Sequence, residues 1–597
     1  MTSTKSKQIK IETPNGRPML GWVNKKPLEF VIGYPAQLTE TFGDKKVLPV
    51  PEYSKLERNW YNLLFHGDNK EVLATLLEQG FRGKVDLIYI DPPFASNKDY
   101  MRKVELRGLK NLGKIEEDSE SIIQQTMYED IWKRDEYFQF MYERLILLKE
   151  LLSETGSIYV HLDYHMTHYM RVLMDEVFGE DNFQNDIVWN YFMGASGNER
   201  WGRKHQNILF YSKGDKYQFN LDPVRVPYNP ETIARAKRGE ARYEVEAEEL
   251  EKSGKNPGDV GSDINPVQGN ALQKTNYATQ KPEALLERII RASTENNSLV
   301  LDCFVGSGTV CAVAQQEGRR WIGVDINKGA IQQTSNRLQK IIKTQQKKLI
   351  DGQISKTFGI YKINNYDLRI LKTEAKELAI QQYGITRTKT ETFFDGLRDS
   401  GELVEIIDFN HPLTLLDLQL IKDELGKRPD EDRDIVVICL GRDTRVDLWV
   451  EEWNKKQPHK DARSNKRMRQ FVIFDLKDKN FVSYEPSKAD VEIKRSGKDK
   501  VKVKIISFIS PTIIKRLELE PGLLLKKIPD FRSMIDVVLV DTEYDSEVFK
   551  IGFSDVPEKQ NDLVKGEYEL ETKEKPTKVA VKVIDMLGEE VLVTKEV

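Results

Sequence analysis

The chain has 597 residues, of which 31% are charged and 39% hydrophobic, and its formal net charge is -4. That length exceeds one compact core, so two or three domains are expected, and the near balance of charge excludes a globally basic nucleic-acid binder, leaving any such surface local. The cysteines, Cys303, Cys311 and Cys439, form no Cys-x-x-Cys pair, which excludes a disulfide framework and a structural zinc site, and no apolar run approaches membrane-spanning length.

The opening Met1-Thr2-Ser3-Thr4-Lys5-Ser6-Lys7 lacks the apolar core of a signal peptide, so a cytoplasmic protein with no membrane partner is expected. Residues 1–54, with many Pro, Gly and Lys, read as an extension packed on the first domain. From Trp60 onward strand and helix alternate: Leu63-Leu64-Phe65 as a strand, 69–79 as an amphipathic helix, then the apolar run Val85-Asp86-Leu87-Ile88-Tyr89-Ile90 as a buried strand. Such alternation predicts a parallel sheet with crossover helices.

That strand runs into Asp91-Pro92-Pro93-Phe94, which offers a carboxylate, a proline carbonyl and an aromatic ring at one strand end. These groups can hold a planar amine, because carboxylate and carbonyl each accept one N–H while the ring stacks on the heterocycle. Alone, the tetrapeptide also reads as a plain strand-terminating turn. The polar stretch 95–130 is expected to form a mobile loop over the site.

Further along, Phe138, Met141, Leu145 and Leu148 share a helical face within 137–152, 157–161 is a strand, and a helix over 167–178 stops at Gly179. Residues 186–189 and 208–211 read as a hairpin whose connection carries Gly194, Gly197, Arg200, Trp201, Arg203 and Lys204. Cations with an aromatic suit a DNA strand, and a solvated connection with a buried tryptophan reads equally well. A charged helical piece over 232–253 follows, and a helix over 281–292 leads into the next strand.

Leu299-Val300-Leu301-Asp302-Cys303-Phe304-Val305-Gly306-Ser307-Gly308-Thr309 is a strand entering a glycine-rich turn, with a helix over 310–317 behind it. Such a turn lets a ligand approach the backbone, and the next strand, 320–325, ends in Asp325, where a Rossmann-like domain places the acid that holds ribose hydroxyls. A cofactor carrying a ribose is implied. A nicotinamide dinucleotide is the competing ligand for such a turn, but Cys311 stands where the third small residue of Gly-x-Gly-x-x-Gly belongs.

With both blocks in hand, the chain resembles the amino-methylating DNA methyltransferases of the β order, in which the Asp-Pro-Pro-Phe block precedes the Phe-x-Gly-x-Gly-Thr block. His66-Gly67-Asp68-Asn69, Gly156-Ser157-Ile158-Tyr159-Val160-His161-Leu162-Asp163, Asn207-Ile208-Leu209-Phe210-Tyr211 and Thr279-Gln280-Lys281-Pro282-Glu283 extend the likeness over residues 55–340. It is most similar to the modification subunits of type III restriction-modification systems and their stand-alone relatives. The resemblance implies S-adenosylmethionine as cofactor, double-stranded DNA as substrate and methyl transfer to adenine N6. Cytosine N4 is the competing acceptor, and Asp at the first position is the commoner choice for adenine.

On the same resemblance, Asp91, Pro92, Pro93 and Phe94 are catalytic, Asp91 polarising the amine and Phe94 stacking on a base turned out of the duplex. Asp302, Phe304, Gly306, Ser307, Gly308 and Thr309 surround the methionine part, Thr279, Gln280 and Lys281 close it, Asp325 holds the ribose and Asp68 lies near the adenine. Two departures from the family pattern, Cys303 and Ala278 where proline is common, neighbour contacts rather than make them. A restriction or helicase subunit and a homodimer are the protein partners the resemblance admits. A different reading makes the chain chiefly the DNA-recognition subunit of a larger defence complex, since the chemistry does not require the region beyond the catalytic block.

His161, His165 and His168 are read as structural or surface residues, since methyl transfer from a sulfonium needs no metal. Glu492-Ile493-Lys494 is read as charged alternation on a strand rather than a nuclease element. The expected fold class is α/β: a Rossmann-like methyltransferase domain over 55–340, with 190–275 as a DNA-contact insertion, then a mixed α/β region over 341–470 and a β-rich region over 471–597.

Overall fold

The computed structural model describes residues 8–93 (save 15 and 24), 100–107, 122–128, 134–190, 201–238, 247–267 (save 262), 280–347, 355–363, 380, 383–386, 393–407, 413–428, 431–439, 442, 444–456, 470–475, 486–516, 528, 530–557, 561–573 and 576–597. The chain divides into two compact units, one made of Met1–Asn364 with Pro486–Val597, the other of Asn365–Glu485.

The larger unit is built on a sheet that, among the described residues, has the strand order Val260–Gly261, Phe183–Asn190, His205–Ser212, Leu152–Leu162, Val85–Ile90, Leu299–Asp302, Arg320–Asp325, Asn62–His66, Phe358–Ile363, Ala36–Phe42 and Phe549–Lys550. The run from Leu152–Leu162 to Phe358–Ile363 is parallel throughout. His205–Ser212 is antiparallel to both its neighbours, completing the hairpin that the sequence predicts.

Side-chain alternation explains why these strands are continuous apolar runs. Leu63, Phe65, Ile88, Ile90, Leu299 and Leu301 enter one core, whereas Leu64, Leu87, Tyr89 and Val300 enter the core on the opposite face. Helices Asn69–Glu78, Arg134–Leu151 and Thr167–Phe178 cover the first face, and Glu283–Ser293, Thr309–Gln316 and Lys328–Lys347 the second. With both faces covered, strand residues of either parity are apolar. Helix Thr167–Phe178 stops at Gly179, whose φ of 96° few other residues adopt.

From Val85–Ile90 the chain crosses to Leu152–Leu162 on one side, and from Leu299–Asp302 to Arg320–Asp325 on the other, although Val85–Ile90 and Leu299–Asp302 are hydrogen-bonded neighbours. The crossovers diverge there, opening a crevice at the carboxyl ends of these two strands. Asp91 and Gly306 both leave the sheet into that crevice.

Residues 486–597 belong to this same unit. Lys488–Arg495, Lys500–Ile509 and Glu567–Glu571 form one sheet, and Phe553–Asp555, Ile535–Asp541, Lys578–Asp585 and Glu590–Glu596 another. Glu492 and Lys494 pair with each other on the exposed face while Ile493 is buried, which is the charged alternation expected there. The lobe reaches back onto the parallel-sheet body: Phe549–Lys550 pairs with Glu40 and Thr41, Lys582 is held in a buried ion pair with Glu40, and Arg107 donates to Asp536 at 2.6 Å.

The smaller unit carries the strand order Ile385–Thr386, Gly396–Arg398, Leu403–Ile406, Ile435–Cys439 and Phe471–Asp475, the last three parallel, with helices Leu415–Gly426 and Thr444–Lys456 between them. The boundary expected at 470/471 therefore falls inside this unit, because Phe471–Asp475 completes its parallel sheet. The N-terminal extension likewise contributes a strand, Ala36–Phe42, to the large sheet.

Candidate active site

A cavity of about 280 Å³ occupies the crevice, lined by Asp91 and Pro93 on one side and by Asp302, Phe304, Gly306, Ser307 and Thr309 on the other, with Asp68, Lys281 and Asp325 completing it. Asp91 and Gly306 thus share one cavity. Pro92 is buried between Asp91 and Pro93. Phe94, Thr279 and Arg200 lie outside the described residues, as does much of 95–130.

The turn after Leu299–Asp302 needs its glycines. Gly306 and Gly308 have φ of 49° and 73°, and a Cβ on Gly308 would stand 2.5 Å from Thr334 Oγ1. Asp302 Oδ1 accepts the Phe304 amide at 2.9 Å, and Asp325 accepts the Gly306 amide at 2.8 Å through Oδ2 and the Asn327 amide at 2.8 Å through Oδ1. Arg337 donates to Ser307 O at 3.0 Å and Thr309 Oγ1 at 3.1 Å, and its other terminal nitrogen pairs with Glu283, fixing the turn to the start of helix Glu283–Ser293. Burial pushes the Asp325 carboxyl up to about 6, against the pull of its backbone hydrogen bonds. Asp302 is also raised, first by burial and then by the negative charges of Asp91 and Asp325.

Asp68 caps helix Asn69–Glu78 by accepting the Lys70 amide at 2.8 Å, and Arg144 donates to both its oxygens at 3.0 and 3.1 Å. The Arg144 guanidinium stacks over Phe140 at 3.5 Å, while Asn69 donates to Cys303 O at 3.1 Å. The helix start is thereby tied to the glycine strand. Sequence reasoning quoted Asn69 within a motif without giving it a role and missed Arg144 and Phe140, whose contacts join elements far apart in the chain.

Asp91 carries the most telling electrostatics. Lys281 Nζ donates to its Oδ2 in an ion pair with both side chains largely buried. Its Oδ1 is buried and has no hydrogen-bond partner among the described residues. Burial raises the Asp91 carboxyl, and the charge and hydrogen bond of Lys281 pull it back. Lys281, expected on the methionine side of the cofactor, thus sits on the carboxylate. Gln280 and Gly308 do not line the cavity.

Behind the cavity wall, Tyr89 is hydrogen-bonded to His161 Nδ1 at 2.7 Å, and His161 Nε2 to Gln206 Oε1 at 2.8 Å. An amide oxygen only accepts, so Nε2 carries the proton and Nδ1 accepts from the Tyr89 hydroxyl. Burial and the nearby Lys281 charge hold His161 well below its ordinary range, hence neutral. His161 is structural, as expected, with the addition that it braces a cavity-lining tyrosine.

Residues 201–204 of the hairpin connection lie at the strand ends that border the cavity. Ile90 is level with Val160, and Leu162 pairs with Asn207, so residues before His205 extend past the same strand ends from which Asp91 emerges. Trp201 is 96% exposed, which removes the buried-tryptophan reading. Arg203 stacks on Tyr164 at 3.9 Å and remains exposed, and Lys204 is half-buried.

Comparison with known proteins agrees with this geometry. The DNA methylase family matches residues 85–336. The chain is 30% identical to type II methyltransferase M1.MboII of Moraxella bovis, over 43% of this chain and 91% of that protein. It is 28% identical to DNA adenine methyltransferase YhdJ of Escherichia coli (strain K12), over 46% of this chain and 82% of that protein. It is 26% identical to the Mod subunit of type III restriction-modification enzyme StyLTI of Salmonella typhimurium, over 46% of this chain and 54% of that protein. Among the described residues no helix is long and apolar enough to cross a membrane.

Proposed function

The chain belongs to the DNA methylase family, and we propose that within it the chain transfers a methyl group from S-adenosylmethionine to the exocyclic N6 of adenine in DNA. The observation that carries this reading is the buried Oδ1 of Asp91, which has no hydrogen-bond partner among the described residues, in the same cavity as the glycine turn. An unmet buried acceptor is costly in the protein alone and marks where a donor-bearing ligand belongs.

An exocyclic amine offers two N–H groups, one for Asp91 Oδ1 and one for the Pro92 carbonyl. Holding both localises a lone pair otherwise delocalised into the ring and aims it, so the acceleration comes from positioning and electrostatics. The surplus proton on the methylated nitrogen passes to Asp91 Oδ1, the acceptor it already faces. Phe94 takes the stacking role on a base turned out of the duplex.

S-adenosylmethionine, when bound, supplies a methyl group made electrophilic by its sulfonium. Asp68, Thr279, Asp302, Phe304, Gly306, Ser307, Thr309 and Asp325 are the residues assigned to hold it, Asp325 at the ribose, with Gly308 shaping the turn. The donor set suits such a molecule: carboxylates for hydroxyl and ammonium groups, and a turn too tight for a Cβ for close approach. Adenine is supported by the similarity to the E. coli adenine methyltransferase. Trp201, Arg203 and Lys204 at the catalytic edge, with Arg200, are assigned to DNA. The similarity to a type III Mod subunit supports a restriction-subunit partner.

The test is direct. Purified protein incubated with methyl-labelled S-adenosylmethionine and unmodified DNA should place the label in N6-methyladenine on nucleoside analysis. Label confined to N4-methylcytosine would reassign the base, and no labelled nucleoside would overturn the reading.

A further inference from the structure

We propose that Lys281 is the positioning residue of the catalytic carboxylate: by engaging Oδ2 of Asp91 it leaves only Oδ1 to meet the target amine. The inference rests on the amine-methylation reading above and adds to it a residue whose partner lies 190 positions away in sequence.

Three observations carry it. The ion pair is shielded, with the Lys281 and Asp91 side chains 9% and 19% exposed. Both residues line the one cavity, and the carboxylate oxygen that Lys281 does not hold is the one without a partner among the described residues. Lys281 is itself immobilised, since it lies two residues before helix Glu283–Ser293, and Arg337 joins Glu283 to Ser307 and Thr309 of the glycine turn. The acceptor oxygen and the turn assigned to the cofactor are therefore held in one frame.

The chemistry needs this frame. A buried carboxylate deprived of its cation takes up a proton near neutral pH. A protonated Asp91 would present a donor to an amine that already has two. The other groups facing the pair do not replace Lys281: Asp302 is a carboxyl raised by burial and supplies no cation, and Tyr89 and His161 are neutral. As a ligand of the cofactor's methionine part, Lys281 would instead govern cofactor affinity, so the two roles separate experimentally.

The experiment uses the full chain with Lys281→Met, Lys281→Gln, Lys281→Arg and, in parallel, Asp91→Asn. Cofactor affinity is measured by calorimetry, and single-turnover methyl transfer at saturating cofactor is followed from about pH 6 to about pH 9.5. The expected result for Lys281→Met and Lys281→Gln is cofactor affinity within about threefold of the parent and transfer slowed about a hundredfold near pH 7, because a displaced acceptor costs that much. The acidic limb of the pH–rate profile should move upward by more than about one unit, with transfer partly restored at the alkaline end, and Lys281→Arg should recover at least about tenfold.

In Lys281→Met or Lys281→Gln, a tenfold or greater loss of cofactor affinity with normal transfer at saturation would overturn the inference, as would near-normal transfer with an unmoved pH profile. If Lys281→Met does not fold, Lys281→Gln still decides: slowed transfer with the acidic limb moved upward at parent-like cofactor affinity supports the cation's role, and near-normal transfer at an unmoved pH profile, or tenfold weaker cofactor binding at normal saturated transfer, refutes it. An inactive Asp91→Asn beside a normal Lys281→Met sinks this inference alone. A fully active Asp91→Asn sinks the amine reading beneath it.

Discussion

Asp325 accepts the Gly306 amide at 2.8 Å, so the acid ending one strand closes the glycine turn ending its neighbour. Its second oxygen takes the Asn327 amide at 2.8 Å, so contact with ribose hydroxyls falls to the remaining lone pairs. Asp325→Ala should therefore weaken S-adenosylmethionine binding by more than loss of a ligand contact alone, on the order of a hundredfold, since two backbone amides lose their acceptor as well. Calorimetric titration checks this. An affinity within about threefold of the parent would remove Asp325 from the site.

Gly308 is a second point of rigidity. Alanine there meets both a φ of 73° and a Thr334 oxygen at 2.5 Å from the new Cβ. Gly308→Ala should cost about 1 to 2 kcal/mol from backbone strain alone and weaken cofactor binding at least about tenfold. Thermal unfolding and cofactor titration measure the two effects, and an unchanged unfolding temperature would contradict the turn geometry.

Arg144 donates to Asp68, Asn69 and Phe140 O and stacks on the Phe140 ring. Arg144→Ala should lower stability by about 2 to 3 kcal/mol, below the full cost of breaking a buried pair because Asp68 is partly exposed. Arg144→Lys should not restore cofactor affinity, since an ammonium cannot reproduce three guanidinium donors and a planar stack. Denaturant unfolding with cofactor titration of both variants is the check, and full recovery with lysine would refute this account.

The parallel body was legible because burial on two faces writes itself into sequence. Val85–Ile90 and Leu299–Asp302 are apolar at nearly every position, and both carry a chemical signature at their carboxyl ends. Asp91, Asp302 and Gly306 were found that way. Lys281 was found as a motif residue but not as the partner of Asp91, because an ion pair across 190 residues leaves no local spacing. Arg144 sits on a helix whose periodicity marks Met141 and Leu145, and nothing in that pattern distinguishes one cation. The return of 486–597 to the main body was equally hidden: Phe549–Lys550 is too short to show alternation, and Glu40 lies far upstream of its partner Lys582.

In that lobe Asp585 gives a pH test free of catalysis. It accepts Ser510 Oγ at 2.7 Å, Leu587 N at 2.9 Å and Glu589 N at 2.8 Å, yet burial pushes its carboxyl from the ordinary 3.8 up to about 6. Between those values the folded chain keeps a proton that the unfolded chain has released. Its stabilisation is therefore complete below about 3.8, is lost as pH rises through about 6, and is flat above. Relative to Asp585→Asn, which cannot ionise, the parent should lose on the order of 3 kcal/mol between about pH 4 and about pH 7. Denaturant unfolding of both proteins across that range measures it, and a parent that gains stability relative to the variant would show the opposite linkage.

The central claim is that the Asp91 oxygen not held by Lys281 receives the amine that is methylated. Single-turnover transfer by Asp91→Asn, at saturating S-adenosylmethionine and DNA, tests it most directly. The account predicts transfer reduced at least about a hundredfold with cofactor affinity unchanged, because the variant replaces one acceptor oxygen by a donor. Transfer within a few-fold of the parent would contradict it.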